Sequence, residues 1–205
     1  MRVFVTGTDT DIGKTVFAAA LAGALQATYW KPIQAGTLDA SDSERVRALA
    51  RLSEDQILPE AYRLHTACSP HRAAELDGVA IDWPSLSPPD ADPLIVEGAG
   101  GLLVPVTRDI LVIDLIERWR FPAVLVARTS LGTINHSLLS IAALQSRGIP
   151  IAGVAFVGDP YPDSEDVICA MSGVKRLGRL PFLDPLDADT LRRAFADNFD
   201  LRDFQ

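Results

Sequence analysis

Closely spaced cysteines and histidines are missing from this chain of 205 residues. It has two cysteines, Cys68 and Cys169, which lie far apart with no CxxC spacing. We interpret both as reduced thiols, because a disulfide framework or a thiolate metal site needs a recurring cysteine spacing. The histidines, His65, His71 and His136, have no metal-ligand spacing with each other. None of them is predicted to bind a metal ion.

Basic charge and long apolar runs are also scarce. The chain carries 19 Lys and Arg against 27 Asp and Glu, a net charge of −8. That balance argues against a nucleic-acid partner, because such proteins neutralise phosphates with a basic stripe. No stretch approaches the ~18 apolar residues of a membrane span, and the N-terminus lacks the basic and apolar segments of a signal peptide. We therefore expect a soluble, cytoplasmic protein without a membrane partner.

The overall composition is that of an ordinary globular protein. Hydrophobic residues make up 48% and charged residues 22%, so disorder is not indicated. The length suffices for one domain with a sizeable core. Residues 77–93 are rich in Pro and Asp, but strand patterns resume on both sides, so we interpret them as a surface connection. The sequence predicts a single domain over residues 1–205.

Apolar strand patterns alternate with helical patterns along the chain. Strands are predicted over residues 3–5, 27–33, 93–101, 122–127, 149–157 and 178–181. Helices are predicted over residues 14–21, 110–119, 132–147, 163–171 and 187–196, with another beginning near residue 41. The alternation predicts an α/β fold, a mostly parallel central sheet with helices on both faces. Ligands bind such sheets beyond the carboxyl ends of the strands.

The N-terminal segment has the layout of a phosphate-binding P-loop. The predicted strand at residues 3–5 is followed by a loop at 7–13, and Lys14 and Thr15 then open a helix. Backbone N–H groups and the helix dipole favour an anion at such a helix start. Lys14 is predicted to reach the outer phosphates and the Thr15 hydroxyl to hold magnesium. The strict pattern has glycine at position 8, where Thr8 stands, so this loop is one residue longer.

Further polar residues follow other predicted strands. Glu97 stands where P-loop proteins place a magnesium carboxylate; the alternative is a strand-end carboxylate facing solvent. Lys31 is either functional or an unremarkable surface lysine, and Asp42 either a site carboxylate or a plain helix N-cap. Asn135 and His136 lie in the first turn of a helix whose free N–H groups suit a substrate carboxylate.

Six stretches of the chain, taken in order and at their separations, carry a family resemblance. They are residues 7–15, 31–36, 69–71, 96–101, 131–136 and 178–183. Over nearly its full length the chain resembles the dethiobiotin synthetases, which have a P-loop NTPase-like fold. The resemblance implies an enzyme that uses ATP and Mg²⁺ to join 7,8-diaminononanoate and CO₂. A carbamate forms, is phosphorylated to a carbamic-phosphoric anhydride, and closes into the ureido ring of dethiobiotin with release of ADP and phosphate.

The resemblance also implies roles for particular residues. Lys14 and Lys31 would be catalytic, stabilising the carbamate and the phosphoryl oxygens, and the magnesium ligands would be Thr15, Asp42 and Glu97. The nucleotide would be bound by Asp11, Ile12, Gly13, Lys14, Thr15, Val16, Asp42, Glu97, Gly98, Ala99, Gly100, Pro181, Phe182 and Leu183. The diamine would be bound by Ala35, Gly132, Thr133, Ile134 and Asn135. In this family residues 132–135 act across a homodimer interface.

Three positions depart from the family pattern. Ala35 stands where a hydroxyl residue is usual, so one substrate or phosphate contact is missing or supplied otherwise. Val157 and Gly158 occupy the place of an Asn-Asp pair that reads adenine in some members. Asp11 replaces a more usual Glu, which is a mild change. We therefore expect a site more tolerant of other nucleoside triphosphates.

Other classes of nucleotide-binding protein remain as alternatives. Switch ATPases of the partitioning and septum-positioning type carry an additional early loop lysine, which residues 7–12 lack. An ATP-dependent amidotransferase synthetase domain would need a glutaminase with a catalytic cysteine, and neither Cys68 nor Cys169 has a nucleophile-like setting. Lys31 and Glu97, beside the P-loop, argue against a non-catalytic binding protein.

Overall fold

A computed structural model describes residues 1–36 and 40–204 of the chain. The strands are β1 (Arg2–Gly7), β2 (Thr28–Trp30), β3 (Ile33–Ala35), β4 (Ile57–Leu58), β5 (Tyr62–Leu64), β6 (Leu94–Gly101), β7 (Ala123–Arg128), β8 (Ile151–Val157) and β9 (Arg176–Leu180). The α-helices are α1 (Lys14–Leu25), α2 (Asp42–Ala50), α3 (Pro70–Asp77), α4 (Val112–Trp119), α5 (Thr133–Ser146), α6 (Pro162–Ser172) and α7 (Ala188–Asn198). Short 3₁₀ turns cover Glu54–Gln56 and Leu201–Phe204.

The central sheet has seven strands in the order β4-β2-β6-β1-β7-β8-β9. Every ladder in it is parallel. Strand β1 lies in the middle, where Val5 is paired with Glu97 on one side and with Val124 on the other. The predicted α/β fold with a parallel central sheet is confirmed.

The side chains of β1 alternate between two cores, one on each face of the sheet. Val3 and Val5 are buried in a cluster that includes Phe17 of α1 and Phe195 of α7. Phe4 is buried in the opposite cluster, together with residues of α4. A strand buried on both faces has this near-continuous apolar sequence because neither side meets water. The predicted helical cover on both faces is therefore confirmed as well.

The predicted strand over residues 27–33 is confirmed over Thr28–Trp30 as β2, but Ile33 belongs to a separate strand, β3. β2 ends at Trp30, and Ile33–Ala35 pairs with Tyr62–Leu64 in a separate two-stranded parallel sheet. Pro32 lies between them and has no N–H to donate to a ladder. Its carbonyl oxygen instead accepts a hydrogen bond of 3.0 Å from the N–H of Tyr62. Strands β4 and β5 and helix α3 were not predicted.

The connection at residues 78–93 contains no helix or strand, as predicted, and it also covers part of the core. Leu86 is buried, and the Arg118 guanidinium lies 5.2 Å from the ring centroid of Trp83. Arg118 also donates to the carbonyl oxygens of Trp83 and Pro84. The segment is therefore fixed against α4.

The helices pack on the sheet and are short, the longest being α5 with 14 residues. No helix within residues 1–36 and 40–204 is long and apolar enough to cross a bilayer.

Three neighbouring strands position the candidate site at one edge of the sheet. β2, β6 and β1 are adjacent and parallel, so their carboxyl ends lie side by side. Lys31 follows β2, Glu97 is the fourth of the eight residues of β6, and the P-loop follows β1. The sheet therefore brings residues that are far apart in sequence to one place.

Candidate active site

The P-loop ends in a left-handed glycine that starts α1. Gly13 has φ of +92° and caps the helix, and no side chain of the described residues caps it. The N–H groups of the first turn therefore face outward without an intrahelical partner, which suits an anion. A Cβ at Gly13 would lie 2.8 Å from Cγ1 of Val157, so both the backbone conformation and the space require glycine. The loop has the geometry of a phosphate cradle.

The lysine and threonine that follow Gly13 make different contacts. The Nζ of Lys14 donates to the carbonyl oxygen of Asp9 at 2.5 Å, so the side chain folds back over the loop. Burial lowers the pKa of Lys14 and is only partly offset by the charge of Glu97. The Oγ1 of Thr15 donates to Oε1 of Glu97 at 2.9 Å. The P-loop is thus joined directly to the end of β6.

Glu97 is a buried carboxylate with three donors. Its side chain is 1% exposed and accepts hydrogen bonds from Thr15 Oγ1 at 2.9 Å, Lys31 Nζ at 3.1 Å and Tyr29 Oη at 2.9 Å. Burial, followed by the charge of Glu97, raises the pKa of Tyr29 well above its usual value, so Tyr29 stays protonated. The alternative of a strand-end carboxylate facing solvent is therefore wrong.

Lys31 lies between two carboxylates. Its Nζ contacts Asp42 Oδ2 and Glu97 Oε1, and the residue is 4% exposed. Burial alone would lower the pKa of Lys31, but the charges of Glu97 and Asp42 outweigh it and the pKa is raised. Burial also opposes the charge of Asp42, whose pKa is nevertheless lowered by Lys31. Lys31 is therefore a buried ammonium rather than a surface lysine.

Asp42 is not the N-cap of its helix, which was one of the two alternatives. Ser41 caps α2, accepting from the N–H of Glu44, while Glu44 accepts from the N–H of Ser41. This reciprocal capping box satisfies the helix start without Asp42. Asp42 is the first helical residue and its carboxylate contacts Lys31.

The oxygen donors in this cluster fit a magnesium ion. Thr15, Asp42 and Glu97 supply a hydroxyl and two carboxylates, which are ligands that a hard cation prefers. Among the residues that the structure describes, no group of three or more His, Cys, Asp and Glu could hold a metal by itself. Magnesium in phosphate sites is held by one or two carboxylates together with the phosphates. The donor set therefore fits magnesium that arrives with a phosphate ligand.

A cleft of about 800 Å³ surrounds this cluster. Of the predicted site residues, it is lined by Asp11, Ile12, Gly13, Lys14, Thr15, Val16, Lys31, Ala35, Asp42, Glu97, Ala99 and Gly100. Gly98 does not line it, because this residue packs on Phe4, whose ring carbon Cε1 would lie 2.7 Å from a Cβ there. Gln34, Arg45 and Ser69 line the cleft without having been predicted. Arg45 was detectable, since it follows Asp42 by three residues and so shares a helix face.

A second cavity of about 600 Å³ lies on the other side of the P-loop. Residues 11–13 and Val16 form one of its walls, so the loop separates the two cavities. Pro181, Phe182 and Leu183, which follow β9 and are predicted to lie near the adenine, also line it. Thr129, Asp159 and Tyr161 were missed. They follow the neighbouring strands β7 and β8, which was a detectable signal.

Comparison with known proteins gives the family. A family model described as an AAA domain matches residues 1–190. The ATP-dependent dethiobiotin synthetase BioD of Rhodopseudomonas palustris strain BisB18 is 60% identical over 99% of this chain and 98% of that protein. The enzyme of the same name from Novosphingobium aromaticivorans is 60% identical over 98% of this chain and 97% of that protein. The chain belongs to the dethiobiotin synthetase family.

Members of the dethiobiotin synthetase family are ATP-dependent ligases that form carbon–nitrogen bonds, and the chain is an enzyme of this class. A solved MinC:MinD cell division complex from Aquifex aeolicus aligns with 94% of this chain and 86% of that chain, with a TM-score of 0.53 and 15% identity. That likeness shows a shared fold alone. Family membership therefore decides against the switch-ATPase alternative, which the fold by itself could not do.

The predicted diamine residues of the dethiobiotin synthetase site, apart from Ala35, do not line either cavity. Residues 132–135 form the start of α5, where Thr133 is buried and its hydroxyl donates to the carbonyl oxygen of Arg128. Leu131 beside them is fully exposed. His136 lines a third cavity of about 380 Å³. A single chain does not bring residues 132–135 to Lys31.

The contact between Lys31 and Asp42 should make the stability contributed by Asp42 depend on pH. A carboxyl whose pKa is lower in the folded state contributes stability above its unfolded pKa, about 4, and loses it as pH falls through the folded pKa. Because the pKa of Asp42 is lowered, we expect Asp42→Asn to reduce the free energy of unfolding. The loss should be constant between about pH 5 and 8, where the carboxyl is ionised in both the folded and the unfolded state. The difference from wild type should shrink below about pH 4. Urea unfolding at a series of pH values measures it.

A matched control removes the cause of the shift. In a Lys31→Met background, Asp42→Asn should have a much smaller effect, since Lys31 is the charge that lowers the pKa of Asp42 most, ahead of Arg45. A loss that is as large without Lys31 as with it contradicts the assignment.

Proposed function

We propose that residues 1–205 act as a single domain that forms the ureido ring of dethiobiotin from 7,8-diaminononanoate and CO₂, with ATP converted to ADP and phosphate. The observation that carries the proposal is the buried cluster of Lys31, Asp42 and Glu97, which lies directly against the P-loop in one cleft. A nucleotide-binding protein without catalysis has no need of a buried ammonium between two carboxylates, because such an arrangement is costly to desolvate.

The reaction needs stabilisation of negative charge at two places. One amine of the substrate attacks CO₂, forming a carbon–nitrogen bond and losing a proton to give a carbamate. A carbamate oxygen attacks the γ-phosphorus, and the bond to ADP breaks. The second amine then attacks the carbamoyl carbon, loses a proton and displaces phosphate. Catalysis consists mostly of positioning and of fixed charge near the phosphoryl and carbamate oxygens.

Two ammonium groups supply that fixed charge. Lys14 and Lys31 are both buried at the cleft, so neither has to be stripped of bulk water when substrate binds. Lys14 stabilises the phosphoryl oxygens from the P-loop side, and Lys31 stabilises the carbamate from the side of β2. A preorganised charge in a dry site is worth far more than the same charge in water.

Backbone N–H groups of residues 11–16 cradle the phosphates, and residues 97–100 line the same cleft through Glu97, Ala99 and Gly100. Magnesium bound with the triphosphate neutralises charge on the β- and γ-phosphates, and Thr15, Asp42 and Glu97 would hold it. The base lies in the second cavity, against Pro181, Phe182 and Leu183.

A second copy of the chain completes the diamine site. The N–H groups at the start of α5, in residues 132–135, are suited to the carboxylate tail of the diamine. Large apolar side chains are exposed around this helix: Leu131 is 103% exposed, Leu103 64% and Leu139 61%. Exposed apolar side chains of this size mark interaction surfaces when they are grouped. The homodimer would bring residues 132–135 of one copy to the cleft of the other.

The activity is tested by product formation. The protein is incubated with diaminononanoate, bicarbonate, magnesium and ATP, and dethiobiotin is measured by mass spectrometry together with released phosphate. We expect dethiobiotin and phosphate in equal amounts. Well-folded protein that forms no dethiobiotin refutes the proposal.

Lys31 should act on turnover rather than on nucleotide binding. Because its ammonium lies on the carbamate side of the cleft, we expect Lys31→Ala to lower kcat by at least about 100-fold, the usual effect of losing an oxyanion donor. The Kd for ADP, measured by calorimetry, should change by less than about threefold, since the P-loop holds the phosphates. The matched control is Lys175→Ala, which removes an exposed ion pair with Asp203. Full activity of Lys31→Ala would remove this lysine from the mechanism.

The departures at Val157 and Gly158 predict weak selectivity for the base. A site that hydrogen-bonds a base edge rejects other bases by factors of about 10⁴, and an apolar pocket discriminates by only about 10 to 200. We expect kcat/KM values for ATP, CTP and GTP within about tenfold of each other. Dethiobiotin formation with each triphosphate measures this, with Lys31→Ala as the blank for contaminating enzymes. A steep preference for ATP refutes the prediction.

A further inference from the structure

Glu165 is a buried carboxylate that takes no part in the proposed reaction. It lies on α6, is 1% exposed, and accepts bonds from Arg176 Nε at 2.9 Å and Nη2 at 2.5 Å. Its other oxygen lies 3.7 Å from Nε of Arg179 and accepts from the N–H of Tyr161 at 3.3 Å. A carboxylate this far from water is stable only with such partners. Both arginines come from β9, so Glu165 fixes α6 to that strand.

Arg179 extends this contact to the end of β8. Its Nη1 donates to the carbonyl oxygen of Gly158 at 2.8 Å. The N–H of Gly158 donates to the carbonyl oxygen of Leu180 at 2.9 Å. Both backbone polar groups of Gly158 are therefore bonded to β9. Gly158 has no side chain, its N–H is bonded within the fold, and its carbonyl oxygen already accepts from a guanidinium, so it lacks the side-chain groups that read a base edge.

Gly158 instead lies behind the wall of the second cavity, against residues that line it. A Cβ there would lie 2.5 Å from Thr129 Oγ1 and 3.5 Å from the ring of Phe182, and φ is +128°, so the residue packs tightly between the two. Thr129, Phe182 and Tyr161 all line the cavity. A displacement of Gly158 would therefore change the shape of the cavity wall on two sides.

We propose that Arg179 is a positioning residue for the nucleotide base: anchored on Glu165, it holds the Gly158 carbonyl and thereby keeps Thr129 and Phe182 in place around the base. The inference rests on the proposed function, in which the base occupies the second cavity. Arg179 lines neither of the two cavities. Its effect is confined to base affinity, because the catalytic residues Lys14 and Lys31 line the other cavity, across the P-loop.

Arg176 offers a matched control on the same carboxylate. It binds Glu165 through two nitrogens, and within the described residues its guanidinium has no contact with Gly158. Arg176→Met and Arg179→Met each remove one guanidinium from Glu165 by the same substitution. Only Arg179→Met also removes the donor to Gly158.

Two ligands separate an effect on the base from an effect on the phosphates. Calorimetry with ADP and with inorganic tripolyphosphate, both with magnesium, measures the Kd of each variant. We expect Arg179→Met to raise the Kd for ADP by about tenfold, the size expected for one charge-assisted hydrogen bond, and the Kd for tripolyphosphate by less than about twofold. Arg176→Met should change neither Kd by more than about twofold. In steady state, Arg179→Met should raise KM for ATP and leave kcat within about twofold.

Several outcomes would overturn the inference. An unchanged Kd for ADP in Arg179→Met removes the positioning role, and an equal loss in Arg176→Met assigns the effect to Glu165 in general. A parallel loss of tripolyphosphate binding shows a structural effect on the whole site. The proposed function is tested separately, by measuring whether the wild type forms dethiobiotin. If the wild type forms dethiobiotin but Arg179→Met shows no contrast between ADP and tripolyphosphate, the inference alone is overturned.

Discussion

The structure around the site depends on one buried ion pair, that of Lys31 with Glu97. The ammonium follows β2 and the carboxylate lies midway along β6, so the pair joins adjacent strands beside the P-loop. Thr15 of the P-loop and the buried Tyr29 donate to the same carboxylate. These two hydrogen bonds connect the ion pair to the P-loop and to the core. A buried charge without its partner is destabilising by about 3 to 5 kcal/mol, so each member depends on the others. Apolar residues would serve stability as well, which is why the cluster points to chemistry.

The parts of the fold that were predictable are those with a local signal. The P-loop is visible in consecutive residues, and long apolar strands such as β6 and β8 carry a pattern of their own. Strands β4 and β5, of two and three residues, are too short to show a period of two. The division at Pro32 depends on a partner strand 30 residues further along the chain, which local pattern cannot supply.

The site was predictable in part for the same reason. Glu97 followed from its place after a buried strand, whereas local evidence left Lys31 and Asp42 undecided, because their roles come from contacts between separate elements. Gly98 was taken with its neighbours in a glycine-rich segment, but alternation along β6 turns it towards Phe4. Arg179 carries no local signal at all, since its partners Glu165 and Gly158 lie on other elements.

The P-loop divides two tasks between its two sides. Residues 11–13 and Val16 line both cavities, while Lys31 and Glu97 line only the larger one and Phe182 only the smaller one. In the proposed function, base recognition can therefore change at residues 157–161 without loss of a contact among the groups proposed to bind the phosphates. A fold shared with MinD at 15% identity gives no guide to the reaction, because function depends on the residues of the site. In this chain the ammonium that follows β2 contacts the carboxylate of β6, and that contact requires both strands to lie beside the loop.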